Sequence, residues 1–167
     1  MAGRHREVRG KEDFKVIEGV VVKDISKHKD ARGWLAELFR IDELVKELHP
    51  LMGYVSMTLP GVSRGPHEHV TQTDYFCFVG PSAFKVYLWD TRSGSKTLGQ
   101  KMEFIAGEAE PKAVTVPPGV VHAYKNIGAV PGFVFNAPNS LYKGFGKKEP
   151  VDEIRYEDKP EMGFILD

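Results

Sequence analysis

Residues 63–80, SRGPHEHVTQTDYFCFVG, set two histidines one residue apart behind a basic, glycine-containing turn and lead straight into an apolar run. Successive side chains on a strand point to opposite faces, so an extended backbone here aims His67 and His69 to the same side. Carrying the alternation forward puts Thr71, Thr73, Tyr75 and Cys77 on the histidine face and turns Gln72 and Asp74 away, unless a bulge intervenes. A second stretch, VPPGVVHAYKN at 116–126, opens with a tight turn at Pro117 and Gly119, after which His122, Tyr124 and Asn126 share a face. Three such imidazoles could be metal ligands, acid–base groups, or strand-end residues bonded to backbone.

Around these stretches, turn signals recur at short intervals (DARG, LPG, VGP, SGS, PPG, APNS) between segments rich in Val, Phe, Tyr and Thr, a spacing that predicts an all-β sandwich or barrel. Strands are expected over 14–23, 33–40, 53–59, 71–79, 84–90, 101–104, 113–116, 122–126 and 132–136. IDELVKELHP (41–50) reads as the single helix, with Asp42 as cap, a stripe of Leu44, Val45 and Leu48, and Pro50 as stop. The closing 21 residues, from Lys147, fit either a strand or a short helix over one end of the barrel. Trp34, Trp89 and the Phe-rich strands are expected in the core.

A chain of 167 residues suits one domain spanning 1–167, with residues 1–12 as a flexible basic tail. Lys and Arg number 23 against 23 Asp and Glu, so no net field draws in nucleic acid or an anionic membrane, and a small-molecule role gains ground. Cys77 is the one cysteine and sits in an apolar run, where a buried inert thiol is expected; a reducing, cytoplasmic setting fits. No apolar run approaches the roughly 18 residues of a membrane span.

The two histidine stretches resemble the paired motifs of cupins, small jelly-roll barrels (double-stranded β-helices) whose first motif is H-x-H followed by Glu and Gly and whose second is P-x-G-x-x-H-x-x-x-N. The second is matched at Pro117, Gly119, His122 and Asn126. In the first, the place of the usual carboxylate ligand falls on Thr73, so His67, His69 and His122 would offer a metal three neutral ligands.

Over residues 24–165 the chain also resembles the dTDP-4-dehydrorhamnose 3,5-epimerase family, itself cupin-like. The resemblance is carried in order by DARGWLAELF, SRGPHEH, WDTRSGSKTLG, VPPGVVHAY and EIRYEDKPEMGF. It implies His67 as general base, Asp158 as the carboxylate orienting it, and Tyr142 as the acid that returns a proton from the opposite face. It further implies Arg32 and Arg64 on the nucleotide diphosphate, Glu37 on the nucleotide side, and His122 as the second barrel histidine. The implied substrate is a dTDP-4-keto-6-deoxyhexose of deoxysugar or surface-polysaccharide biosynthesis, bound without a cofactor by a homodimer in which an N-terminal strand, here FKVIEGVVV, crosses between subunits.

The chemistry explains the residue types. A proton beside a ketone is weakly acidic, so its removal needs a base and a partner for the enolate; a well-placed proton-transfer group contributes about 10²- to 10⁴-fold. Diphosphate recognition far from the reacting carbon supplies binding energy that positions it. The departures are equally informative. The epimerases carry lysine at the place of Thr73 and glutamine at that of His69, Phe135 replaces an expected tyrosine, and YVSMTLPG (54–61) lacks their Gln and Asn. A protonated His69 could take over from the lysine, and the two-histidine form also resembles sugar 3,4-ketoisomerases. Three readings follow: an epimerase; a ketoisomerase or metal-dependent cupin using His67, His69 and His122; or a non-catalytic sugar-nucleotide-binding cupin. Plain structural roles remain for each residue, with Tyr142 packing, Asp158 solvated and Arg32 bonded within its turn.

Overall fold

The computed structural model describes residues 16–167 and is built almost wholly of antiparallel strands. In chain order these are β1 (Val21–Asp24), β2 (Lys27–Asp30), β3 (Gly33–Ala36), β4 (Tyr54–Thr58), β5 (Ser63–Glu68), β6 (Asp74–Phe78), β7 (Ala83–Asp90), β8 (Lys101–Gly107), β9 (Lys112–Val116), β10 (Val120–Asn126), β11 (Gly132–Asn136) and β12 (Ile154–Arg155). One five-stranded sheet runs β1-β9-β6-β11-β4 and the other β12-β5-β10-β7-β8, with β2 and β3 as a separate hairpin. Two such sheets facing each other form the cupin-type jelly roll expected from the sequence.

The interior is set by side-chain alternation. Phe76, Phe78, Val114, Val116 and Val134 from the first sheet meet Phe84, Val86, Leu88, Met102, Ala106 and Tyr124 from the second in one buried cluster. Cys77 and Tyr75, on the opposite face of β6, pack outside the first sheet beneath Leu38, Phe39 and Leu44. Cys77 is fully buried, and burial pushes its thiol up to about 12. Tyr87 and Trp89 stack on the outer face of the second sheet, ring centroids 5.9 Å apart, and are covered by Tyr156, Phe164 and Leu166.

Several expectations are corrected. The strand expected from residue 14 begins only at Val21, because a turn at Gly19 precedes it; residues 14 and 15, like the expected tail, lie outside the described residues. Its described part pairs with β9, and Ile17 and Val20 lie in the core cluster. The expected helix at 41–50 is two isolated 3₁₀ turns, Ile41–Glu43 and Lys46–Leu48, separated by extended Leu44 and Val45. Neither turn has a side-chain cap, and ten residues closed by Pro50 are too few for a helix to hold without one. Trp34 is not core: it is 45% exposed on the β2–β3 hairpin, with the Lys27 ammonium 4.4 Å from its ring centroid. The closing segment holds both β12 and a 3₁₀ turn at Pro160–Met162. Among the described residues no helix is long and apolar enough to cross a membrane.

Candidate active site

The three histidines meet at one end of the barrel. β5 and β10 pair antiparallel with His67 opposite His122, their ring centroids 4.3 Å apart, and His122 packs on Phe76 at 5.5 Å. Gly65 makes this close pairing possible: its φ is +81°, and a Cβ there would sit 2.5 Å from the His122 carbonyl oxygen. His69 lies just past the end of β5, 5.6 Å from the His67 ring.

The expected alternation fails between His69 and Thr73, and the failure brings a carboxylate into the site. The chain leaves β5 at Glu68, crosses to the other sheet through bends, and enters β6 at Asp74. Asp152 holds that crossing: its carboxylate accepts the backbone N–H groups of Val70, Thr71 and Gln72 at 2.8, 3.0 and 2.8 Å. Strand parity therefore restarts at β6, so Asp74, Phe76 and Phe78 face the histidines while Tyr75 and Cys77 face away. Thr73 donates its backbone N–H to Asn139 Oδ1 at 2.8 Å and is buried, so the carboxylate of the cluster is supplied by its neighbour Asp74.

Asp74 is the electrostatic centre, its side chain only 1% exposed. Its Oδ1 accepts from Gln72 Nε2 at 2.9 Å and Asn136 Nδ2 at 2.8 Å. Its Oδ2 lies 3.1 Å from His69 Nε2 and 3.2 Å from His122 Nε2. Burial opposes the charge, but the two imidazoles outweigh it and hold the carboxyl well below the usual range. Burial likewise opposes protonation of His69, yet Asp74 and Asp152 raise it to about 9. His67 goes the other way: burial, then His122 and His69, lower it to about 2, so it stands neutral. The Nδ1 nitrogens of His69 and His122 face the carbonyl oxygens of Asp152 and Val120, the latter at 3.0 Å; since a carbonyl only accepts, both nitrogens carry hydrogen.

The carboxylate opposite His67 is Glu153, with Oε1 3.8 Å from Nδ1 and Oε2 bonded by Arg155 at 2.8 Å. Asp158, which the resemblance places in this role, sits exposed in the turn after β12. β12 itself pairs with β5, Arg155 opposite His67, and that pairing brings Glu153 to the site. Arg64 points its guanidinium back to β4, donating to Thr58 Oγ1 at 3.0 Å and the Met57 carbonyl at 2.8 Å. Arg32 is bound to Asp30 at 2.6 Å at the hairpin tip, and Glu37 lies 3.8 Å from Arg40; neither bonds to the cluster. Tyr142 is 52% exposed on the loop after β11. Tyr54, from the segment that departs from the epimerase pattern, has its hydroxyl 2.9 Å from Asn136 Nδ2 and thus joins the Asp74 network; burial pushes it up to about 12.

Asp74, Asp152, Glu153, Asn136 and Tyr54 are site residues that sequence reasoning missed. Asp74 stood in the quoted stretch and was turned away by strand parity. Glu153 opens the EIRYEDKPEMGF block, in which the resemblance points instead to Asp158.

A jelly roll with imidazoles and carboxylates gathered at one mouth is the general cupin arrangement. The sequence profile of dTDP-4-dehydrorhamnose 3,5-epimerase matches residues 15–149, and the chain belongs to that family. A probable low-salt glycan biosynthesis epimerase, Agl13, from Haloferax volcanii is 38% identical over 128 residues, covering 75% of this chain and 81% of that protein. The spore coat polysaccharide biosynthesis protein SpsL of Bacillus subtilis is 40% identical over 116 residues, covering 70% and 76%. In fold, a dTDP sugar isomerase from Desulfovibrio desulfuricans superposes with a TM-score of 0.77 at 20% identity, covering 90% of this chain and 91% of that one. The 3'-monoepimerase ChmJ from Streptomyces bikiniensis, in complex with dTDP-quinovose, gives 0.72 at 22% identity, covering 88% and 74%.

Proposed function

We propose that this protein epimerises a dTDP-4-keto-6-deoxyhexose by removing and returning a proton beside the C4 ketone, in the making of a surface glycan. The observation that carries the reading is the neutral His67 at the barrel mouth with Glu153 3.8 Å from its Nδ1, in a chain of the epimerase family. A neutral imidazole has a lone pair to take the proton, and the carboxylate stabilises the imidazolium that forms. Proton return from the other face falls to Tyr142, the position that the family resemblance implies for it. The relatives in glycan and spore coat biosynthesis support the same pathway class.

The test is incubation of the dTDP-4-keto sugar in heavy water. Wild type should wash deuterium into C3, or C3 and C5, and His67→Asn should lose about 10²- to 10⁴-fold of that rate. Tyr142→Phe should keep wash-in but lose inversion; unaltered inversion would hand the role to Tyr54. Sugar binding without any exchange would leave a binding protein and defeat the reading.

A soluble cytoplasmic homodimer belongs to the same proposal. The dimer is supported by an exposed apolar patch, Val55, Met57 and Phe133, on adjacent positions of β4 and β11.

A further inference from the structure

We propose that His69, Asp74 and His122 bind one divalent transition-metal ion, with His67 beside it as an unligated base. The binding stands on geometry; what the ion does rests on the enolisation reading above.

Three buried side-chain nitrogen or oxygen atoms among the described residues have no hydrogen-bond partner, and all lie in this cluster: His67 Nδ1, Asp74 Oδ2 and His122 Nε2. Such atoms are rare in folded proteins; Asp74 Oδ2 and His122 Nε2, 3.2 Å apart, call for a common partner, while His67 Nδ1 faces Glu153 instead. The tautomers sharpen the point. With hydrogen on the Nδ1 of His69 and His122, the neutral rings present Nε2 lone pairs to a carboxylate oxygen that is itself only an acceptor, at 3.1 and 3.2 Å. With both rings neutral, three lone-pair atoms face one another and repel; a metal ion among them removes the repulsion at all three, whereas a proton on His69 answers only its own contact with Asp74 and leaves His122 Nε2 unpartnered.

The spacing suits an ion. Ligand atoms on bonds of about 2.1 Å lie roughly 3 to 3.5 Å apart in octahedral or tetrahedral arrangements. The surroundings have the supports that metal ligands usually have: each imidazole gives its other N–H to a backbone carbonyl, and Gln72 and Asn136 fix the far oxygen of Asp74. Gln72 Nε2 also lies 3.1 Å from His69 Nε2, a contact it gives up to the ion while keeping Asp74. Two imidazoles and one carboxylate suit zinc, iron, cobalt or nickel over magnesium or calcium, which prefer oxygen donors.

The ion would supply positive charge to a cluster in which Thr73 offers none. When His67 takes the proton, the C–H electron pair becomes the C=C bond and the carbonyl π pair moves to the ketone oxygen, where a facing cation stabilises it. His67 lies close enough to serve the same substrate, since the donor atoms of all four residues fall within 4.8 Å of one another.

The test uses the full, tag-free chain stripped with EDTA and titrated separately with Co²⁺ and Zn²⁺, read by calorimetry and by the visible absorption of bound cobalt. One equivalent per chain is expected. Asp74→Asn and His69→Ala should each weaken binding by at least about 100-fold, more than loss of a supporting residue costs, with circular dichroism and melting of the stripped protein reporting whether each variant is folded. His67→Asn should bind within about threefold of wild type. Binding no tighter than that of a folded Asp74→Asn or His69→Ala variant would overturn the site, leaving a protonated His69 as the partner of Asp74. An equal loss in His67→Asn would overturn the three-ligand assignment. Deuterium wash-in, measured apart, separates the two readings: exchange as fast in stripped protein as in loaded protein removes the ion's role and leaves the epimerase, whereas tight binding without exchange in any form leaves the site and removes the epimerase.

Discussion

At the residue scale, the site turns on which carboxylate serves which histidine. Glu153 faces His67 and is itself held by Arg155, while Asp158 is exposed with no bond to the cluster. If Glu153 stabilises the imidazolium, Glu153→Gln should lower kcat for deuterium wash-in about tenfold, about 1.4 kcal/mol, with KM little changed. Asp158→Asn should cost far less; the reverse order would restore the role implied by family resemblance. His67 and Thr73 show how unevenly such a resemblance carries. His67 occupies the mouth beside a carboxylate, whereas Thr73 spends its backbone N–H on Asn139 and leaves the anionic place to Asp74.

At the element scale, two local devices hold the mouth in shape. The first is the β5–β10 pairing, whose register shifts between His122 and Tyr124. Gly65→Ala would place a methyl 2.5 Å from the His122 carbonyl oxygen in a backbone conformation strained for any side chain. It should destabilise the protein by more than about 1 kcal/mol in urea titrations and depress wash-in out of proportion, because His67 and His122 are displaced together. The second device is the turn after β7. Asp90 accepts from Arg92 Nε at 2.8 Å, Ser95 Oγ at 2.5 Å and Thr97 Oγ1 at 2.6 Å. Arg92 first, against the cost of burial, and then the two hydroxyls hold its carboxyl well below the usual range. A depressed folded-state pKa contributes stability that is fully present above the unfolded value, near 4, and is lost as pH falls toward the folded one. Asp90→Asn should therefore lower urea stability by about 1–3 kcal/mol at pH 7, and the gap to wild type should narrow below about pH 4. A gap unchanged at pH 3 would mean that charge is not what this carboxylate contributes.

At the scale of the whole molecule, the barrel interior is apolar at one end and polar at the other, with Phe76 and His122 at the boundary. Cys77 reports on the integrity of the whole. It is fully buried outside the first sheet beneath the 36–44 segment, and its thiol is raised to about 12 by burial. A thiol reagent should modify native protein only as fast as that covering opens, and should react at once in urea. Rapid labelling of native protein would show the 36–44 cover to be open in solution.

Much of this was legible in the chain. Turn residues at short intervals and β-branched and aromatic runs gave an all-β barrel, because those signals are local. Strand β11 falls on the expected 132–136, and β4, β7 and β9 lie within about a residue of expectation. The imidazoles at 67, 69 and 122 were visible for the same reason, since alternation along a strand and a Pro-Gly turn are properties of a few neighbouring residues. Alternation has no authority across a break in the strand, and whether 69–73 is broken depends on Asp152, some 80 positions away. Asp74 in the cluster, Glu153 opposite His67 and Tyr54 on Asn136 are long-range pairings that only the closed barrel creates. The chain by itself determined the barrel and its histidines; the tertiary structure decided which carboxylates those histidines meet.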